Sequence, residues 1–85
     1  MSNVTIYTTN YCPYCRAAKR LLDNKTVKYE EIDLTENEEI KTKVMEELGW
    51  QSVPIILING KLIGGYDQLR DLEREGKLDE MLALD

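Results

Sequence analysis

The chain has no histidine and no phenylalanine, and only two cysteines and two prolines in 85 residues. Without histidine, the usual base near neutral pH is missing, so Ser–His and Cys–His nucleophile pairs are excluded. A structural zinc site takes four Cys or His ligands, and two cysteines alone cannot close one within a single chain. No apolar run approaches the roughly 20 residues that span a bilayer. The start, Met1-Ser2-Asn3-Val4-Thr5, carries neither the basic residues nor the hydrophobic core of a secretory signal, so a cytoplasmic location is expected. Positive charge is also in deficit. The net charge is −5 and the pI is near 4.7. Such a chain repels phosphate, so neither nucleic acid nor an anionic membrane is expected as partner.

What is present suits one small globular domain, expected to span residues 1–85, most simply as a monomer. Charge is unevenly placed. Residues 9–28 hold Arg16, Lys19, Arg20, Lys25 and Lys28 against Asp23 alone. This local excess begins beside the only two cysteines, which form Cys12-Pro13-Tyr14-Cys15. A Cys-x-x-Cys without a secretory signal, near a βαβ pattern, reads as a redox dithiol. A structural disulfide suits a reducing compartment poorly. A zinc site shared by two chains remains open.

The pattern predicts the elements in order. Val4 to Tyr7 alternates and is β-branched, a strand. A helix starts at Cys12-Pro13, because proline at the first helical position loses an N–H that has no partner there. Tyr14, Ala18, Leu21 and Leu22 form its apolar stripe, and Asn24-Lys25 ends it. Val27 to Leu34 reads as a second strand. Thr35 and Glu38 fit a capping box. The helix after it has Ile40, Val44 and Leu48 as its buried stripe and Gly49 as its stop. Pro54 to Ile58 is continuously apolar, as in a strand covered on both faces. Asn59-Gly60 is a strong hairpin signal, and Lys61 to Ile63 returns. Tyr66-Asp67 opens a third helix with Leu69 and Leu72 inward. Leu78, Met81 and Leu82 fit a short last helix. The expected fold class is α/β, a four-stranded mixed sheet with helices on both faces in the order β-α-β-α-β-β-α.

At the start of the first helix, Cys12 occupies the N-cap. There its sulfur can accept from the backbone N–H groups of Tyr14 and Cys15, and the helix terminus favours the thiolate. Cys15 lies one turn deeper and is expected to be more buried. The reading is therefore Cys12 as nucleophile and Cys15 as resolving thiol, with Pro13 and Tyr14 setting the spacing. Tyr14 serves either as packing or as a contact for the ligand.

Three motifs in sequence order carry a family resemblance: Cys12-Pro13-Tyr14-Cys15, Ser52-Val53-Pro54, and Gly64-Gly65-Tyr66-Asp67. Together they resemble a dithiol glutaredoxin, over nearly the whole chain. The resemblance implies a thioredoxin-like fold and a glutathione-dependent thiol–disulfide oxidoreductase. No bound cofactor or metal is implied; glutathione enters as co-substrate. The implied clients are protein disulfides and glutathionylated proteins, with ribonucleotide reductase among the candidates. The resemblance also implies a cis bond before Pro54, next to the nucleophile. The Val53 backbone would then pair with glutathione as an added strand. Gly65 lets the ligand approach closely, the Tyr66 and Asp67 amides hold a carboxylate at the helix start, and the Asp67 side chain takes the γ-glutamyl ammonium. Gln51 is a candidate for the glycyl carboxylate.

The chain departs from the family pattern in two places. The stretch Thr8-Thr9-Asn10-Tyr11 lacks the lysine that many relatives carry before the first cysteine; Arg16 is the nearest replacement charge. Gln68 stands where a second acid often follows Asp67. Trp50 reads either as packing or as an anchor for a protein partner. Two other functions stay in view. One is a carrier reduced by a flavoprotein reductase, which would have no use for the Gly64–Asp67 motif. The other is a two-chain iron–sulfur protein held through Cys12 and glutathione, which a loop stiffened by Pro13 disfavours.

Overall fold

The computed structural model describes residues 3–83. The strands are β1 (Val4–Thr8), β2 (Glu30–Asp33), β3 (Ile55–Ile58) and β4 (Lys61–Gly64). The helices are α1 (Pro13–Asn24), α2 (Glu38–Leu48), α3 (Tyr66–Arg74) and α4 (Lys77–Ala83). The strands form one sheet in the order β2-β1-β3-β4. β1 runs parallel to β2 and antiparallel to β3, and β3 runs antiparallel to β4. The two apolar strands thus sit at the centre, and the polar β2 and the short β4 form the edges.

One layer of the core can be read from side-chain alternation. Val4 and Ile6 of β1 and Ile56 and Ile58 of β3 join Ala18 and Leu22 of α1, Leu69 of α3 and Leu78 of α4 in a single buried cluster. Period 2 on the strands meets period 3.6 on the helices at one interface. Burying a large aliphatic side chain contributes about 1.5–3 kcal/mol, so this layer fixes α1 and α3 side by side on the sheet. Lys25, at the end of α1, joins the helices on the outside through ion pairs to Glu73 at 2.8 Å and Asp79 at 2.6 Å. Asn59 and Gly60 both take positive φ, 53° and 80°, in a two-residue turn whose twist suits a hairpin.

Three expectations need correction. The second strand begins at Glu30 rather than Val27. Thr26 takes φ 59°, and the Val27 N–H turns back to the Leu22 carbonyl, so this stretch closes α1 instead of joining the ladder. The capping box at Thr35 does not form. The helix starts at Glu38 with Asn37 as its cap, because Thr35 is committed elsewhere. Its N–H donates to Asp33 Oδ1 at 2.8 Å, and its hydroxyl accepts from the Asn10 N–H at 2.8 Å. The stripe Ile40, Val44, Leu48 is also not a buried one: α2 buries no residue, and Ile40 is 44% exposed. Gly49 does end this helix, at φ 67°.

Candidate functional site

The first turn of α1 builds the centre of the site. Cys12 is its N-cap, with extended backbone at φ −97° and ψ 115°, and Pro13 follows at the first helical position. The Cys12 sulfur accepts from the Cys15 N–H at 3.3 Å. A helix start leaves several N–H groups without intrahelical partners, and here one of them points at a sulfur. The Cys12 thiol donates to the Val53 carbonyl at 3.6 Å. The loop is held from behind: the Cys12 N–H donates to the Thr9 carbonyl, and the Asn10 N–H to the Thr35 hydroxyl.

The two thiols are both free and differ in surroundings. Cys12 retains 8% exposure and Cys15 only 1%. Burial pushes the Cys15 thiol up to about 12, with the neighbouring Cys12 adding to the rise and the Thr9 backbone opposing it. Cys15 is thus held as a neutral thiol, the more deeply buried of the two. A spacing of three residues creates this asymmetry, by placing one sulfur at the cap and the other on the inner face of the helix.

Beside Cys12 lies a cleft of about 330 Å³. Its walls come from three stretches: Tyr14 of α1, Trp50 to Pro54 before β3 except Gln51, and Gly65 to Gln68 at the start of α3. The Val53–Pro54 bond is cis. The Val53 N–H finds no acceptor among the described residues. Tyr14 and Tyr66 face each other across the cleft, ring centres 6.3 Å apart, and Tyr14 is 60% exposed. Tyr14 therefore leaves the apolar stripe of α1 and belongs to the cleft. The Arg70 guanidinium sits 5.9 Å from the Tyr66 ring centre and 3.8 Å from Asp67, whose carboxylate is largely in solvent.

The glycines of this wall have different reasons to be there. At Gly64, φ is 124°, and a Cβ would stand 3.0 Å from Gln68 Cγ and 3.1 Å from Trp50 Cη2. At Gly65 a Cβ would meet nothing closer than 3.5 Å. The Gly65 N–H donates to Gln68 Oε1 at 3.0 Å, so the residue standing in for a second acid caps the helix from its own first turn.

The structure brings Cys12, Cys15, Val53 and Pro54 together, and places Tyr14, Gly65, Tyr66 and Asp67 along the same cleft. Pro13 is exposed on the rim of α1, and Gln51 is exposed and lies outside the cleft lining. Trp50 and Ser52 line the cleft although the sequence did not assign them there, and Gln68, the departure from the family pattern beside Asp67, lines it too. Ser52 could have been found from its place beside Val53. Gln68 is legible from its place directly after Asp67, whereas Trp50 carries no local signal, because only the tertiary approach of the β3 loop to α3 brings it to Gly64 and Gly65. Among the described residues no group of three or more His, Cys, Asp or Glu could hold a metal ion, and no helix is long and apolar enough to cross a membrane.

Comparison with known proteins gives a consistent result. A family model described as Glutaredoxin matches residues 4–63. The chain is 43% identical over 83 residues to the glutaredoxin of Pseudomonas aeruginosa, covering 98% of this chain and 99% of that one. It is 40% identical over 82 residues to glutaredoxin 3 of Escherichia coli K12, covering 96% and 99%. Among solved structures, a buckwheat glutaredoxin–glutathione complex superposes with a TM-score of 0.89 at 32% identity, covering 95% of this chain and 76% of that one. The solution structure of a Brucella melitensis glutaredoxin gives 0.83 at 42% identity, covering 94% and 87%. The α/β sheet described above is thus of the thioredoxin-like class that the motifs led us to expect.

Proposed function

This chain belongs to the glutaredoxin family, a glutathione-dependent thiol–disulfide oxidoreductase acting through a dithiol, and we propose that Cys12 is its nucleophile and Cys15 its resolving thiol. Glutathione is the co-substrate, and no resident cofactor takes part. The observation that carries the assignment is the contrast between the two sulfurs. Cys12 accepts a helix-start N–H and bonds to Val53 of the cleft wall, while Cys15 is sealed as a neutral thiol.

In the monothiol route, the Cys12 thiolate attacks the glutathione sulfur of a protein–glutathione mixed disulfide. The protein leaves as a thiolate and takes up a proton, and Cys12 carries glutathione. A second glutathione thiolate attacks that glutathionyl sulfur, forming oxidised glutathione and returning Cys12 as thiolate. In the dithiol route, Cys12 attacks a protein disulfide. Cys15 then loses its proton and attacks Cys12, forming the intramolecular disulfide and releasing the client as a dithiol. Two glutathione molecules reduce that disulfide again. Glutaredoxins poise near about −200 to −230 mV, above the cytosolic glutathione pool, so this return is downhill.

Glutathione lies in the cleft as an extended peptide. Its backbone pairs with Val53, whose N–H is unpaired among the described residues. Its γ-glutamyl carboxylate meets the Tyr66 and Asp67 amides, and its ammonium meets the Asp67 carboxylate. Pro54 shapes the turn beneath it, Gly65 leaves room for it, and Tyr14 and Tyr66 flank it. Gln51, exposed and next to Ser52 of the cleft wall, is the candidate for the glycyl carboxylate. The clients are glutathionylated proteins and protein disulfides, ribonucleotide reductase among them, and the protein works as a cytoplasmic monomer of one domain.

The test is turnover of a small glutathione mixed disulfide, coupled to NADPH. One reaction holds glutathione and glutathione reductase; the other holds thioredoxin reductase. Fast NADPH consumption only in the first is expected. Activity only in the second would leave the two cysteines in their roles and remove the glutathione site.

A further inference from the structure

We propose that Trp50 is a ligand-binding residue of this cleft, its indole N–H donating to the γ-glutamyl carboxylate of glutathione. The inference rests on the glutathione reading above and adds a donor that the three motifs do not contain.

Trp50 lines the cleft, yet its Nε1 is fully covered and has no hydrogen-bond partner. Indole nitrogen is a donor only, so no other role can satisfy it. A buried donor without a partner is expensive, and the sites where native proteins tolerate one call for an explanation. The ring's position supplies it. Cη2 stands 3.1 Å from the Cβ position of Gly64, and Cζ2 stands 3.7 Å from that of Gly65. Cζ2 is one ring carbon away from Nε1. The six-membered ring of the indole therefore packs against Gly64 and Gly65, next to the start of α3 where the ligand carboxylate is held.

The charge of the cleft makes a neutral donor useful there. Glutathione brings two carboxylates and one ammonium. The cleft lining offers one carboxylate, Asp67, and no lysine or arginine among the described residues. Arg70, the nearest cation, is turned onto Tyr66 and Asp67. One amide at the start of α3 is already spent, since the Gly65 N–H donates to Gln68. The Tyr66 and Asp67 amides remain for a carboxylate placed here, and the unpartnered indole N–H of Trp50, which lines the same cleft, is a further donor beside them. Because Nε1 is covered in the free protein, the ring shifts as the ligand enters. The unpaired donor of the free state becomes a charge-assisted hydrogen bond in the bound state.

The experiment compares two small mixed disulfides, one of cysteine with glutathione and one of cysteine with cysteinylglycine, which lacks the γ-glutamyl group. Wild-type protein should favour the first in kcat/KM. Trp50→Phe keeps an aromatic ring against Gly64 and Gly65 but lacks the N–H. It should lower that preference about tenfold, the size expected for losing a hydrogen bond to a charged group, with the loss in KM rather than kcat. An undiminished preference in Trp50→Phe would overturn the inference and leave the glutathione site standing. No preference in the wild type would remove the glutathione site itself. A second readout needs no Trp50 variant. The chain has a single tryptophan. In Cys15→Ser protein, exchange of the Cys12 thiolate with oxidised glutathione forms the Cys12–glutathione disulfide and releases one glutathione thiolate. Tryptophan emission should change on this loading and not on loading with cysteinylglycine disulfide. Identical emission in the loaded and free forms would overturn the proposal.

Discussion

Cys15 should be almost inert toward alkylation in the folded protein, by a margin that its burial sets. Its thiol is pushed up to about 12 from an ordinary 9.0. Three units in pKa correspond to about a thousandfold smaller thiolate fraction at any pH well below both values. The thiolate is the reacting species, so the alkylation rate falls by about that factor. Only 1% of the residue is exposed, which lowers access further. The variant to use is Cys12→Ser, which leaves Cys15 as the only thiol. It removes the contribution of Cys12 to the rise and keeps burial, the largest cause. Iodoacetamide labelling at pH 7.5, followed by mass spectrometry, should proceed at least a hundredfold slower than in the same protein unfolded in urea. Cys15→Ser, which leaves Cys12 with 8% exposure against 1% for Cys15, should label faster when folded than folded Cys12→Ser. Equal rates for folded and unfolded Cys12→Ser protein would refute the sealed-thiol argument and the resolving role built on it. The same burial has a signature in stability. A raised thiol contributes stability that is fully present below the ordinary value, 9.0. That contribution is lost as the pH rises from there through the folded value, so alkaline unfolding should be milder in Cys15→Ser than in the wild type.

Other expectations are independent of the thiols. Asp67→Asn should raise KM for a glutathione mixed disulfide about two- to fivefold, the size expected for one exposed ion pair, while kcat holds; an unchanged KM would make Asp67 a helix-start acid and nothing more. Gly64→Ala should destabilise the protein by about 2 kcal/mol or more, lowering Tm by roughly 8–16 °C. There the new Cβ meets Gln68 and Trp50 at φ 124°, whereas Gly65→Ala meets only ordinary contacts and should leave Tm nearly unchanged. Glu31 accepts from Lys19 at 2.9 Å and from the Thr8 hydroxyl at 2.7 Å, and these bonds, Lys19 first, hold its carboxyl below the usual range. The resulting stability is present above the unfolded value, about 4.3, and is lost as the pH falls through the lowered folded value. The partners are partly exposed, so Glu31→Gln should cost about 1 kcal/mol at pH 7 in chemical denaturation and nothing measurable near pH 2.

Where sequence and fold agree, the determinants lie within a few residues of one another. Pro13 can be read as a helix start because its missing N–H costs nothing there. Asn59-Gly60 can be read as a turn because both residues tolerate positive φ, which they adopt. The failures fall where a residue has two possible partners and the tertiary one wins. Thr35 has the right chemistry for a cap, but its hydroxyl is taken by the Asn10 N–H, 25 positions away in the chain. That bond braces the loop in front of Cys12, so a local rule gives way at the edge of the site. Val27 has strand propensity but closes α1 through Leu22. The half-buried α2 shows that a helical stripe states which face is inward, not how deeply it is covered. Trp50 is the sharpest case. Its neighbours in sequence say nothing of Gly64 and Gly65, and the space those glycines leave for its ring exists only in the folded chain.

The absence of histidine, which excluded most nucleophile arrangements at the outset, is resolved by the backbone. A helix start supplies oriented N–H groups wherever a chain turns into α-structure, without a titrating side chain. Cys12 uses one of them at 3.3 Å. The donor is the amide of Cys15 itself, so the residue that stabilises the attacking sulfur also brings the resolving one. An Ala at position 12 would remove the cap as well as the chemistry and should destabilise α1 by about 1 kcal/mol, whereas Cys12→Ser keeps a hydroxyl at the cap. The serine variant is accordingly the cleaner probe of chemistry. A large loss of stability in Cys12→Ser, compared with Cys12→Ala, would show that the sulfur is held by packing rather than by the helix start.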